Sequence, residues 1–299
     1  MIQLFKLNFS TEVHFGEGTL ESCSFTFQAD TLFSALYIEA LKSGKEKRLL
    51  EMAENGEFLL SDAFPFKERT LYVPKPIQKI SSQKDQDPSE RKKYKKLEYV
   101  PVSQIDTFLK GDMDIDKVCT KFGIFDQLTK ASIRGLEETL PYHVETFRFY
   151  PDCGLYFVLK YKSDEAFDLI SDLIDLLSYT GIGGKKTSGL GKFKVSVFTD
   201  KALVNFMNRK GSRFMLLSCA LPKADEGEKA VSGASYLLEK RSGFIASETY
   251  AEELRKKKDF YVFRSGSCFK NSFSGGIYDV SNGGNHPVYR YAKGLFLEI

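Results

Sequence analysis

The chain has 299 residues, enough for one large domain or two of ordinary size with a real core, and its 42% apolar and 28% charged residues exclude disorder as the default. A formal net charge of +3 does not by itself indicate a nucleic-acid partner; its distribution is more informative, because a local stripe sets the field a phosphate feels, and of the basic runs at 91–96, 185–194 and 255–258 the first and last read as solvated surface. Five dispersed cysteines without a C-x-x-C pair exclude the common zinc spacings, argue against a disulfide framework and fit a reducing cytoplasm.

Residues 2–9 alternate in polarity and predict a strand, with no continuous apolar core of the kind a signal peptide has. Asp30 or Thr31 is placed to cap a helix, TLFSALYIEALKSG, whose apolar residues fall at 32, 33, 36, 40 and 41. Gly44 stands where a left-handed C-cap belongs. Strand-like pieces follow near 57–60 and 70–73, the second stopped by Pro74 and Pro76. Residues 78–98 are polar and aperiodic and read as an exposed insertion; 101–140 yields only short segments.

The segment TFRFYPDCGLYFVLKY at 146–161 predicts two strands around a Pro-Asp-Cys-Gly turn. Ser163 caps the clearest helix, with Phe167, Ile170, Leu173, Ile174 and Leu177 at helical spacing and Asp164 and Glu165 suiting its positive end. A glycine-rich loop at 181–191 and a strand at 192–198 follow, and the polar stretch 199–211 is the candidate domain boundary. Beyond it, 214–221 predicts a strand, 247–257 a helix, and 259–264 and 286–298 strands. The fold class is α+β. The first part orders its elements as a ferredoxin-like sheet with helices on one face, and a shorter α+β unit follows. No run of about 18 apolar residues is present, so no membrane span is expected.

The loop GIGGKKTSGLGK is the most informative segment. Five glycines open its backbone to close approach, three lysines add charge and Thr187 and Ser188 add hydroxyls, so it can cradle a phosphodiester chain. It is not a Walker loop, because Leu190 stands in the lysine position, and the G-x-G-x-x-G spacing fails at Lys186. Polarity is the stronger objection. Those motifs lead into a helix N-terminus, whereas this loop leaves a helix and enters a strand. The structural alternative is a flexible connector.

Helix, glycine loop and closing strand resemble the RAMP superfamily of CRISPR proteins. ADTLFSAL (29–36), DAFPF with LYVPKP (62–76) and GGNHPVYRYAKGLFLEI (283–299) narrow the resemblance to the fourth-subunit family of the Csm complex, the type III-A interference machine. It implies two tandem ferredoxin-like (RRM-like) domains, 1–205 with an insertion around 78–140, and 206–299. It also implies binding of the 5′ handle of CRISPR RNA and docking to the large polymerase-like subunit and to the neighbouring backbone RAMP subunit. No catalytic residue, metal or cofactor is implied.

The residues carried over as RNA-binding are Gly181, Gly183, Gly184, Lys185, Lys186, Ser188, Gly189, Gly191 and Lys192 in the loop. His286, Tyr289, Arg290 and Tyr291 join them, Arg290 as a phosphate clamp and the tyrosines as stacking faces. The alternative is a metal-independent endoribonuclease. RAMP relatives that process precursor RNA use a histidine as general acid or base, and His14 would be that residue here. Against it, the first helix contains no histidine, and His14, His143 and His286 have no evident partner in the sequence. A protein-binding scaffold is the third reading; a strong salt dependence of RNA binding separates it from the first.

Overall fold

The structure, a computed structural model, describes residues 1–79, 88–118, 120–132, 140–247 and 249–299. Strand β1 (Ile2–Phe9) leads through the short pair β2 (Phe15–Gly16) and β3 (Cys23–Ser24) into helices α1 (Ala29–Ser43) and α2 (Glu46–Glu54). Strands β4 (Phe58–Leu60), β5 (Phe64–Lys67) and β6 (Thr70–Pro74) follow, then α3 (Pro88–Lys96), β7 (Tyr99–Pro101), α4 (Ile105–Lys110) and α5 (Ile115–Val118). Next come β8 (Gly123–Ser132), β9 (Leu140–Phe149), β10 (Cys153–Tyr161), α6 (Asp164–Thr180), β11 (Phe193–Phe198) and α7 (Lys201–Asn208).

The main sheet runs β11-β1-β10-β5-β6-β7, with β4 pairing the far end of β10. The alternation of β1 sends Phe5 and Leu7 into a core with α1 and α6, while Leu4 enters a second core with Ile105, Phe108 and Leu203. Both faces of the sheet are therefore covered, not one as the element order suggested. The insertion and α7 take the face that an open RRM-like sheet would leave free. The helix expected at 30 begins a turn-edge earlier, with Gln28 as N-cap. Its first amide, Ala29 N–H, donates to Asp62 Oδ1 at 2.8 Å, so Asp30 and Thr31 are not the cap. Gly44 takes the left-handed C-cap as expected (φ 68°), and Ser163 caps α6 by accepting from Ala166 N–H at 3.3 Å.

Other expectations are corrected. The two strands around Pro-Asp-Cys-Gly form but do not pair with each other: β10 joins the main sheet, while β9 pairs with β8 along a separate two-stranded arm. The insertion holds helices and β7 packed on the sheet; the aperiodic residues 80–87 lie outside the described residues. The polar stretch 199–211 carries helix α7, capped by Asp200, which accepts from Leu203 N–H at 2.8 Å.

In the C-terminal part, β12 (Phe214–Leu216), α8 (Gly227–Val231), β13 (Leu238–Arg241), β14 (Phe260–Phe263), β15 (Cys268–Phe269), β16 (Gly275–Asp279), β17 (Tyr289–Lys293) and β18 (Phe296–Glu298) form short antiparallel ladders. Regular strand ends at Leu216, short of the expected 221, yet Leu217 N–H still donates to Leu295 C=O (2.7 Å) and Leu221 N–H to Ala292 C=O (3.1 Å). Ala220 bridges to Phe263 on the other side. The described residues of 247–257 are not helical, and 286–298 is split at Gly294, where a Cβ would lie 2.8 Å from Phe273 C=O. The two parts share core: Cys219, Val262, Tyr291 and Ala292 pack with the α1 and α6 residues. Lys293, 6% exposed, donates to the carbonyls of Ala53 (2.6 Å) and Glu54 (2.8 Å), satisfying the negative C-terminal end of α2 from the far end of the chain. Cys23, Cys153, Cys219 and Cys268 are buried and free.

Candidate nucleic-acid interface

The glycine loop is pinned to the segment after β1. Gly184 N–H donates to His14 C=O (2.8 Å), Gly191 N–H to Glu12 C=O (2.8 Å) and Ile182 N–H to Gly191 C=O (3.0 Å). Lys192 N–H donates to Thr11 Oγ1 (3.0 Å). Four glycines answer to this packing. A Cβ would lie 2.1 Å from Ile182 C=O at Gly191, 2.8 Å from His14 C=O at Gly183, 2.7 Å from His14 Cδ2 at Gly184 and 2.9 Å from Leu190 C=O at Gly181. The close approach inferred from sequence is thus met by the chain's own backbone and by the His14 ring. Only at Gly189, with φ of 87°, would a Cβ point into open space.

What the loop offers outward is a crest, Lys185 to Gly189, wound into a single 3₁₀ turn at Lys186–Ser188. Ser188 and Gly189 N–H groups donate to Lys185 and Lys186 carbonyls (2.9 Å each), so they are not available as a cradle of free amides. Side chains carry what remains. Lys185, at a left-handed φ of 56°, holds its ammonium 4.9 Å from the ring centre of Tyr142 on the arm. Thr187, Ser188 and Lys192 are exposed. Lys186 is half-buried, and that burial lowers its pKa against the opposing pull of Glu39. Glu39, 3% exposed, accepts from Lys42 Nζ (2.8 Å) and Thr180 Oγ1 (2.9 Å).

The C-terminal candidates divide. His286 is half-buried, bonded to Ser247 Oγ at 2.8 Å and edge-on to Tyr250. Tyr289 is half-buried and edge-on to Tyr37 at 5.7 Å. Arg290 and Tyr291 are corrections to the sequence reading. Tyr291 is fully buried against Phe33, its hydroxyl accepting from Leu60 N–H at 3.0 Å, and has no free face for a base. Arg290 is 4% exposed and ion-paired with Asp30, so it is not an open phosphate clamp. Arg241 shares the same carboxylate through Nη2–Oδ1 at 2.8 Å. Burial alone would raise the Asp30 carboxyl, but the two guanidinium groups outweigh it and hold Asp30 well below the usual carboxylate range.

His14 is 4% exposed and donates from Nδ1 to Glu145 C=O at 2.7 Å. It is a packing residue under the loop, which removes the geometric support for a nuclease centred on it. Among the described residues no three ligating side chains gather as a metal site, and no helix is long and apolar enough to cross a membrane. Two residues beside the loop escaped sequence reasoning. Tyr142 meets Lys185 from another element, β9 of the arm, which no local pattern signals. Tyr179, 80% exposed in the last turn of α6, was legible as an aromatic interrupting a polar helix face.

Residues 6–194 match the family profile of the RAMP superfamily, and residues 209–299 match that of the CRISPR Csm4 C-terminal domain. The chain is 39% identical to the CRISPR system Cms protein Csm4 of Mycobacterium tuberculosis (strain ATCC 25618 / H37Rv), covering 99% of this chain and 97% of that protein. It is 35% identical to the protein of the same name from Streptococcus thermophilus, covering 96% and 95%. Among solved structures it resembles a chain of the Csm3-Csm4 subcomplex of the type III-A CRISPR-Cas interference complex, with a TM-score of 0.70, 18% identity and 99% of each chain covered. A chain of the Csm1-Csm4 cassette in complex with cA4 gives a TM-score of 0.65 at 19% identity, covering 100% of this chain and 98% of that one. At such identities the structural likeness bears on fold alone.

Proposed function

Because the chain belongs to the RAMP superfamily and, within it, to the Csm4 family of CRISPR proteins, we propose that it serves a type III-A interference complex as the subunit that grips the 5′ handle of the guide RNA and performs no chemistry on it. The observation that carries this reading is the lysine-bearing crest held rigidly over residues 11–14. Lys185, Lys186, Thr187, Ser188 and Lys192 form the phosphate contact, with Tyr142 beneath Lys185. Gly189 leaves room for the sugar-phosphate chain. We assign His286 and Tyr289, both half-buried, to the same RNA surface.

The protein partners follow from the relatives, whose solved complexes are named for Csm3 and for Csm1. We assign this chain the same two neighbours, a backbone RAMP subunit and the large polymerase-like subunit. We also read both parts as ferredoxin-like units. The first orders its strands β11-β1-β10-β4, and the second places residues 214–221 between β17 with β18 and β14, with β13 outside. Helix α7 is then the connector between units of about 1–205 and 206–299.

The test is the salt dependence of binding to RNA bearing a guide 5′ handle. Lys185→Ala and Lys192→Ala should each weaken binding and reduce the log–log salt slope by about one unit, the signature of one lost phosphate contact. A slope unchanged in both variants, with normal melting, overturns the assignment.

A further inference from the structure

Away from the loop, on the other side of the arm, lies a cleft of roughly 380 Å³ between the base of the arm and the C-terminal end of α3. Its volume is in the range of small-molecule pockets. Phe25, Tyr72, Tyr99, Phe122, Phe125 and Phe147 line it. Several meet edge to face: Phe25–Tyr99 at 5.8 Å, Tyr72–Phe122 at 5.0 Å and Phe125–Phe147 at 4.8 Å. Such pairs leave one ring of each with a face its partner does not cover.

Phe125 is the outlier. It is 52% exposed on the arm, although an apolar ring gains by burial and neighbouring Phe122 and Phe147 are 8% and 3% exposed. The mouth is basic on balance. Lys93, Lys96 and Lys121 face Asp116 and Glu98; Lys93 is paired with Asp116 at 2.6 Å, whereas Lys96 and Lys121 are exposed and in no ion pair among the described residues. The wall that carries Lys96 is fixed, because Lys75 Nζ donates to the carbonyls of Tyr94 (2.9 Å) and Lys95 (3.0 Å) at the end of α3.

We propose that this cleft receives one unstacked base of the bound RNA, Phe125 being the stacking platform and Lys96 and Lys121 meeting the flanking phosphates. A flat aromatic group on an anionic tether is what aromatic lining under a lysine mouth recognises. Strand β9 joins the two sites: Tyr142, beside Lys185, and Phe147, in the cleft, are five residues apart, about 16 Å along a strand. An RNA seated on the crest therefore reaches the cleft by crossing the arm within a few nucleotides. The proposal rests on the handle-binding reading.

The experiment is a thermodynamic cycle between Phe125 and each nucleotide of a 5′-handle RNA made abasic one position at a time, using the full chain. Wild-type protein should lose about fivefold to a hundredfold in affinity at one abasic position. Phe125→Ala should bind intact RNA more weakly but be indifferent to that one position, with an unchanged salt slope; Phe125→Tyr should behave as wild type. Phe125→Leu, which keeps apolar bulk without a flat face, replaces the alanine variant if that melts early. If RNA binds with the lysine-dependent slope but no position couples to Phe125, the cleft is not a base pocket, and an apolar side chain of a protein neighbour becomes its occupant. If handle RNA does not bind at all, the handle reading has failed and the cleft assignment falls with it.

Discussion

Asp30 in the first turn of α1 and Arg290 in β17, 260 positions apart, form a buried ion pair that fastens the first helix to the penultimate strand. Arg290→Ala removes one of the two guanidinium partners of the buried carboxylate, while Arg241 still holds it. The variant should therefore destabilise the fold by about 1.5–3 kcal/mol, the worth of a hydrogen bond to a charged group, read by denaturant unfolding. The salt slope of RNA binding by the folded fraction should not move. A lowered slope without a stability loss would return Arg290 to the phosphate-binding set. Because the Asp30 carboxyl is depressed in the folded state, its contribution is present above the ordinary carboxylate pKa of about 3.9 and is lost as pH falls below it.

Asp62 behaves in the opposite sense. Burial pushes its carboxyl up to about 7, against the N–H groups of Ala29 and Cys219, which each donate to Oδ1 at 2.8 Å. Between about pH 4 and 7 the folded chain keeps a proton that the unfolded chain releases, so stability should fall as pH rises through that window and level off above it. Asp62→Asn stays neutral and can still accept both bonds. Its melting temperature should be flat from pH 5 to 8, with a gain over wild type at pH 8 on the order of 4 kcal/mol or less. Parallel pH profiles for the two proteins would refute this.

The glycines of the loop should separate by cause. Gly184→Ala drives a methyl into the His14 ring and should cost about 1–3 kcal/mol, much of it recovered when His14→Ala is added. Gly189→Ala meets no atom and should cost only the strain of a left-handed residue, roughly 1–2 kcal/mol, with no rescue by His14→Ala. Gly189→Val should in addition lose guide RNA on copurification, provided that its melting matches that of the alanine variant. Full RNA content in that variant would remove Gly189 from the interface.

Incubated with precursor CRISPR RNA, with or without divalent metal, the purified chain should leave it intact. Cleavage that vanished in His14→Ala would contradict the packing role given to that buried ring.

Local signals proved reliable where a residue's neighbours in sequence decide its role. Ser163 and Gly44 mark helix ends through bonds made within one turn, and the stripe Ile170, Leu173, Ile174 and Leu177 faces the core at the spacing that predicted it. The errors are non-local. Asp30 looks like a cap until a carboxylate from Asp62 takes the amide and two arginines from the C-terminal part take Asp30 itself. Tyr291 and Arg290 sit in a motif that suggested RNA, but their environment is set by Phe33, Leu60 and Asp30, far away in the chain. The loop was found from its composition. The reason for Gly183 and Gly184 was not, because the group that obstructs both, His14, lies some 170 residues upstream.

The position of β1 also has a consequence for how the protein is made. Its flanking partners are β10 and β11, with Phe5 opposite Phe157 on one side and Phe9 opposite Phe193 on the other. At translation rates of roughly 5–20 residues per second, β1 waits roughly 10–40 s for its last partner to be synthesised. Until β10 is made a nascent chain carries an apolar first strand with both edges open, and until β11 is made one edge stays open, a state exposed to mispairing with another chain. The chain ends of a ribosome-stalled fragment should mark the threshold: fragments that stop before β11 should bind chaperones, and those that include it should release them.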